Sequence, residues 1–163
     1  MTADAHLTDV FTLMLHGVDT LDWDTVRACF APEIATDYTS LWGGDPEKLT
    51  PDDLLASWEP FATGFDATQH LTGPIAVVRA DGDTATCVTT VRAYHHVVPA
   101  EDDEPAGTWM VSATYDIGLA RGPDGWKISA ITLNLAYEDG DRVLVDAARA
   151  RGERRAGGRF PAG

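Results

Sequence analysis

Thr84-Ala-Thr-Cys-Val-Thr-Thr-Val-Arg-Ala-Tyr-His-His-Val-Val98 is rich in β-branched and aromatic residues and carries neither proline nor glycine. That composition predicts one long strand. Successive side chains on a strand point to opposite faces. Cys87, Val91, Ala93, His95 and Val97 therefore share one face, and Val88, Thr90, Arg92, Tyr94 and His96 share the other. His95 belongs to the apolar row and is expected to face a cavity, whereas His96 points away. Two neighbours on a regular strand cannot ligate one ion, and no Cys–Cys or His-x-x-x-His spacing supports a metal site elsewhere. None is expected.

Strands are predicted on both sides of this run. Gln69–Val78 leads into the hairpin signal Ala80-Asp-Gly-Asp83. After an acidic loop, Pro99–Pro105, come strands at Thr108–Ala120 and Trp126–Tyr137, joined by the turn Gly122-Pro-Asp-Gly125. On Thr108–Ala120 the row Met110, Ser112, Thr114, Asp116, Gly118 is small and polar, and Trp109, Val111, Ala113, Tyr115, Ile117, Leu119 is bulky. The polar row, with Thr114 and Asp116, is assigned to the cavity. The bulky row, left uncovered, predicts a homo-oligomer.

The first 64 residues read as helices. Leu7, Val10, Phe11, Met14, Leu15 and Val18 form a stripe at 3–4 spacing over Ala5–Thr20. Asp22 caps a second helix over Trp23–Phe30 that Pro32 ends, and an extended piece follows at Ile34–Tyr38. Thr50 caps a third, with Pro51 at its first position and Asp52 and Asp53 in its first turn. A short helix over about Asp141–Arg151 closes the chain. Helices followed by a meander of long strands define an α+β fold: a strongly curved, mostly antiparallel sheet wrapped around N-terminal helices, conical, with a deep pocket for a small molecule.

Asp19 stands on the apolar stripe, four positions after Leu15. A desolvated carboxylate at a helix C-terminus needs a cationic or donor partner. His70, in Ala67-Thr-Gln-His70-Leu-Thr, is a suitable one. The plainer alternative turns Asp19 outward into solvent.

The chain has 163 residues and a net charge of −14. Its length predicts one domain, residues 1–148, followed by a flexible Arg/Gly-rich tail, 149–163. Residues 1–141 hold 24 acids and 6 bases, and residues 142–163 hold 6 arginines and 2 acids. An acidic body repels phosphate backbones, so no nucleic-acid partner is expected. The tail is expected to fray or to pair with the acidic body. Cys29 and Cys87 have no motif spacing and read as core thiols in a reducing, cytoplasmic setting. No leader and no apolar run of membrane length is present, so no membrane partner is expected.

Three stretches resemble a known family. Val18-Asp-Thr-Leu-Asp-Trp-Asp-Thr-Val-Arg-Ala-Cys-Phe-Ala-Pro-Glu-Ile-Ala-Thr-Asp-Tyr38, Thr68-Gln-His70 and Asp124-Gly-Trp-Lys-Ile128 are similar to the SnoaL-like, scytalone-dehydratase-like branch of the nuclear-transport-factor-2-like superfamily. The resemblance covers roughly residues 8–148. It implies a conical fold around a deep pocket, no metal or organic cofactor, and a trimer or dimer. It further implies that Asp19 and His70 match the dehydratase Asp–His pair, Tyr38 a carbonyl-side Tyr, and His95 the second His. Thr114 and Asp116 fall where the dehydratase has Ser and Asn. Val18 replaces a second Tyr, a departure that puts the same substrate in doubt.

Proton removal next to a carbonyl needs a base and a stabiliser for the enolate oxygen. His70 fits the base, Asp19 the group that fixes its tautomer, Tyr38 the oxyanion donor, and His95 the proton donor to a leaving hydroxyl. Asp116, if inside the cavity, is an alternative base; if outside, an acid paired with Arg121 or Arg92. Trp42, Trp58, Phe61, Phe65 and Leu133 are candidate walls for a flat substrate. The reading is a cofactor-independent, dehydratase-like lyase acting on a cyclic, polyketide- or steroid-like carbonyl compound. A polyketide cyclase or isomerase, or a non-catalytic ligand binder, remains the alternative.

Overall fold

A computed structural model of the chain describes residues 5–99 and 104–157. Helix α1 (Ala5–Thr20) leads through α2 (Trp23–Ala28) to strand β1 (Phe30–Asp37), a single turn α3 (Thr39–Trp42) and a short β2 (Glu47–Leu49). Helix α4 (Pro51–Gly64) precedes β3 (Ala67–Thr72), β4 (Ala76–Asp81), β5 (Thr84–Val97), β6 (Gly107–Gly122) and β7 (Gly125–Asp139), and α5 (Val143–Gly157) ends the described chain. The caps act as expected. Asp22 accepts from the Thr25 amide at 3.1 Å and Thr50 from that of Asp53 at 3.2 Å.

One open sheet runs in the order β2-β1-β7-β6-β5-β3, with β4 also on β5. It is mixed, because β1 lies parallel to β7 while the other pairings are antiparallel. The single strand expected over Gln69–Val78 is two strands, both laid along β5. The break falls at Gly73-Pro74, where proline has no amide to donate. The Gly73 amide still reaches Thr90 O at 3.0 Å, and the Thr89 hydroxyl donates to Gly73 O at 3.0 Å.

The inner face of the sheet meets α1 and α4. Leu7, Phe11 and Met14 of α1 are almost fully buried, as are Ile117, Ile128 and Ile131 of β6 and β7. The edge of Phe11 meets the ring of Tyr115 at a centroid distance of 5.2 Å. This overturns the reading of β6. Its bulky row, Trp109, Val111, Ala113, Tyr115, Ile117, faces inward and is buried, while Asp116 is exposed. Register gives the reason: His95 stands opposite Trp109, Ala93 opposite Val111 and Val91 opposite Ala113, and directly paired residues share a face. The apolar row of β5 thus draws Trp109 and Tyr115 inside with it. The ground given for an oligomer disappears.

The Arg-rich segment from residue 149 is likewise not a free tail as far as it is described. Helix α5 continues to Gly157, six residues beyond its expected end, and Arg151 is buried. Its guanidinium donates to Asp66 Oδ2 at 2.9 Å, Glu104 Oε2 at 2.8 Å and Val98 O at 2.7 Å. Those partners hold the helix on the acidic body. Residues 158–163 lie outside the described residues. No helix among the described residues is long and apolar enough to cross a membrane.

Helix α5 lies against α4 almost backbone to backbone. A β-carbon added at Gly64 would stand 1.8 Å from Ala148 O, and one at Gly152 would stand 1.7 Å from Pro60 O. Gly64→Ala therefore has to push the helices apart. We expect it to destabilise the fold by about 1–3 kcal/mol, read from urea unfolding, and an unchanged midpoint would contradict this contact.

Candidate active site

The last turn of α1 and strand β3 bring Asp19 and His70 together. Thr68 and His70 are two apart on β3 and therefore point to the same side, toward Asp19. Asp19 Oδ1 lies 2.7 Å from His70 Nδ1 and accepts from the Thr68 hydroxyl at 2.9 Å. Its Oδ2 accepts from the His70 amide at 2.8 Å. The pair is shielded: 18% of the Asp19 side chain and 10% of the His70 side chain remain exposed. Burial pushes the Asp19 carboxyl up, but the His70 ring, its charge and amide, and the Thr68 hydroxyl outweigh it and hold the carboxyl below its ordinary value. An ionised carboxylate only accepts, so the proton between the two groups sits on Nδ1. In the neutral ring the opposite nitrogen, Nε2, carries the lone pair, and His70 lines the cavity.

His95 lies beyond His70, with ring centroids 5.9 Å apart and the planes nearly perpendicular. It is buried among Trp109 at 4.7 Å and Phe65 at 5.0 Å between centroids. Its Nδ1 has no hydrogen-bond partner among the described residues. Desolvation, reinforced by the His70 charge, pushes its pKa down to about 3. It is a neutral imidazole at pH 7. A proton-donating imidazolium at this position, as expected from the sequence, does not fit that environment.

Tyr38 enters from the end of β1, fixed by the turn that follows. The Ser40 hydroxyl donates to Leu133 O at 2.5 Å and accepts from the Leu135 amide at 3.0 Å, tying α3 to β7. The rings of Tyr38 and Tyr115 meet edge to face at 6.4 Å, and their hydroxyls interact. Desolvation raises the pKa of both phenols, that of Tyr115 to about 12. Both remain protonated donors.

The residues border a cavity of about 590 Å³. Tyr38, His70, His95, Trp42, Trp58, Phe61 and Leu133, all singled out from the sequence, line it. Four others do not. Asp19 meets the cavity only through His70. Phe65 stands behind His95. Thr114 and Asp116 are on the outer face of the sheet, where Asp116 accepts from Asn134 Nδ2 at 2.6 Å. The alternative base is thereby removed, and among the described residues Asp116 has no ion pair with Arg92 or Arg121. Tyr115, Trp109 and Arg149 line the cavity without having been foreseen. The alternation of β6 carried the signal for the first two once its register with β5 was known. Among the described residues no group of three or more His, Cys, Asp or Glu is placed to hold a metal ion.

With fold and site in view, the chain belongs to the SnoaL-like domain family, whose model matches residues 1–132. No curated protein matches it. Among solved structures, the Kfla4162 protein from Kribbella flavida is 29% identical, with a TM-score of 0.77 over 90% of this chain and 96% of that one. A candidate scytalone dehydratase from Novosphingobium aromaticivorans is 15% identical, with a TM-score of 0.69 over 83% of this chain and 85% of its own. A hexachlorocyclohexane dehydrochlorinase of type 2 is 17% identical, with a TM-score of 0.69 over 83% of this chain and 86% of its own. At such identities the last two share the fold, and a fold alone does not carry an activity.

Neutral burial of His95 has a measurable cost in acid. Between its unfolded value of 6.5 and about 3, the unfolded chain binds a proton at residue 95 that the folded chain refuses. Stability falls as pH drops through that window, by up to ~1.4 kcal/mol per pH unit from this residue. His95→Phe should flatten the fall in urea-unfolding free energy between pH 6.5 and 4 relative to wild type; parallel curves would contradict a buried neutral His95.

Proposed function

We propose that the protein is a cofactor-independent, dehydratase-like lyase that removes a proton next to the carbonyl of a cyclic small molecule. The observation that carries this reading is the Asp19–His70 contact at 2.7 Å beside an aromatic-walled cavity. The proton leaves carbon for His70 Nε2, and its bonding electrons move to the carbonyl oxygen. Asp19 stabilises the imidazolium that forms. Tyr38, with Tyr115 beside it, donates to the enolate oxygen. The enolate then re-forms its carbonyl and expels the hydroxyl from the β-carbon. His95 holds no spare proton at neutral pH. The proton that departs with the hydroxyl as water is therefore the one His70 has just taken. Substrate and product differ by one water, and no oxidant or reductant is consumed.

Size and lining support a bicyclic or larger, polyketide- or steroid-like substrate: about 590 Å³ bounded by Trp42, Trp58, Phe61 and Trp109.

The test is turnover of 3-hydroxy-1-tetralone, which yields 1-naphthol on loss of water and is followed by ultraviolet absorbance. Wild-type protein should accelerate the reaction. His70→Gln should lower kcat by about 10²–10⁴, and Asp19→Asn should lower it while leaving KM largely unchanged. Equal rates with wild type and His70→Gln, both folded, would leave a ligand binder as the better description. Ring closure or double-bond migration without water release, in a wider substrate screen, would assign a cyclase or isomerase.

A further inference from the structure

The arginines that lead into and ride on α5 differ in what they hold. Arg142 grips Glu138 through two nitrogens, each at 2.7 Å, and donates to Leu41 O at 2.8 Å. Arg151 is spent on Asp66, Glu104 and Val98 O. Arg155 donates to Thr63 O and lies 3.8 Å from Asp66. Arg149 is different. Among the described residues it makes no ion pair and no hydrogen bond, and its guanidinium carbon lies 5.1 Å from the Trp42 ring and 5.9 Å from that of Phe61. Both rings line the cavity, as does Arg149 itself.

Arg149 is the only Lys or Arg among the described residues that borders this cavity. It is exposed, and Trp42 beside it is 40% exposed, so they mark the side where the cavity meets solvent. Of the two histidines, His95 is buried and His70 is partly buried. A guanidinium lying over aromatic faces keeps its planar fork of N–H donors available, and that fork matches a carboxylate. Its position is not left to a loose loop: Gly64 against Ala148 and Gly152 against Pro60 seat α5 directly on α4. Arg142, also over the Trp42 ring at 5.4 Å, is already neutralised by Glu138. Glu47 and Glu153 border the same opening, both exposed, and neither pairs with Arg149.

We infer that Arg149 is a specificity residue that anchors a carboxylate carried by the substrate, so that the compound taken is an aromatic or polycyclic acid. The inference rests on the cavity being the substrate site proposed above, and it refines the substrate class without altering the chemistry at His70. A chain with a net charge of −14 repels anions at long range. Recognition of an acid therefore has to come from a local, unpaired cation. The aromatic walls take the ring system and the guanidinium takes the acid group.

The test compares 2-naphthoate with its neutral analogue 2-naphthamide by calorimetric titration of the full chain. Wild type should bind naphthoate more tightly than naphthamide. Arg149→Met should weaken naphthoate by about 10- to 100-fold and leave naphthamide unchanged, and Arg149→Lys should recover part of the loss. Unchanged thermal midpoints verify that both variants fold. Naphthoate binding no tighter than naphthamide in wild type would overturn the inference. So would an equal loss of both probes in Arg149→Met, which makes the residue plain wall. Arg149-dependent binding without His70-dependent turnover would sink the proposed reaction and keep the anchor, whereas turnover without charge preference would do the reverse.

Discussion

The site depends on one contact, the carboxylate of Asp19 against Nδ1 of His70. It joins the last turn of the first helix to an edge strand fifty residues later, and three hydrogen bonds converge on the carboxylate there. Because Thr68, the His70 ring and the His70 amide all donate, the acid stays ionised despite its burial. An ionised acid fixes the tautomer of the ring it faces. In its neutral form the imidazole then faces the cavity as an acceptor, which is the form a base requires.

The remaining groups divide by environment. His95 is close to His70 but sunk among Phe65 and Trp109, and its neutrality follows from that burial. The two tyrosines are raised in pKa and keep their protons. One imidazole that can accept, one that stays neutral, and two phenols that can donate make a division of labour set by solvent exclusion. Helix α5 completes the enclosure. Glu138 links its leading turn to the cavity wall, accepting from Arg142 on one side and from Trp109 Nε1 at 2.9 Å on the other.

Much of this was legible in the residues. The stripe of α1 gave its limits and placed Asp19, the Thr50-Pro51 start of α4 was unambiguous, and strand alternation put His95 inside and His96 outside. What failed was information that passes between strands. Parity along β6 defines two rows but not which one faces in; only pairing with β5 decides, because His95 and Trp109 stand opposite each other. Parity alone therefore cannot place Thr114 and Asp116 outside or Tyr115 inside. The composition of the Arg-rich end leaves two outcomes open, a frayed tail or pairing with the acidic body. As far as it is described, its helix takes the second, held by carboxylates distant in sequence at Asp66 and Glu104. Short elements such as α3 and β2 have too few residues to show a period.

The central claim is that Asp19 holds the proton of His70 on Nδ1 and leaves Nε2 unprotonated toward the cavity. A long-range proton–nitrogen correlation spectrum of the protein labelled with ¹⁵N-histidine, recorded where His70 is neutral, reads this directly. The predicted result is a protonated Nδ1 and an unprotonated Nε2, with Asp19→Asn abolishing that preference. A neutral ring carrying its proton on Nε2 in the wild-type protein would contradict the account.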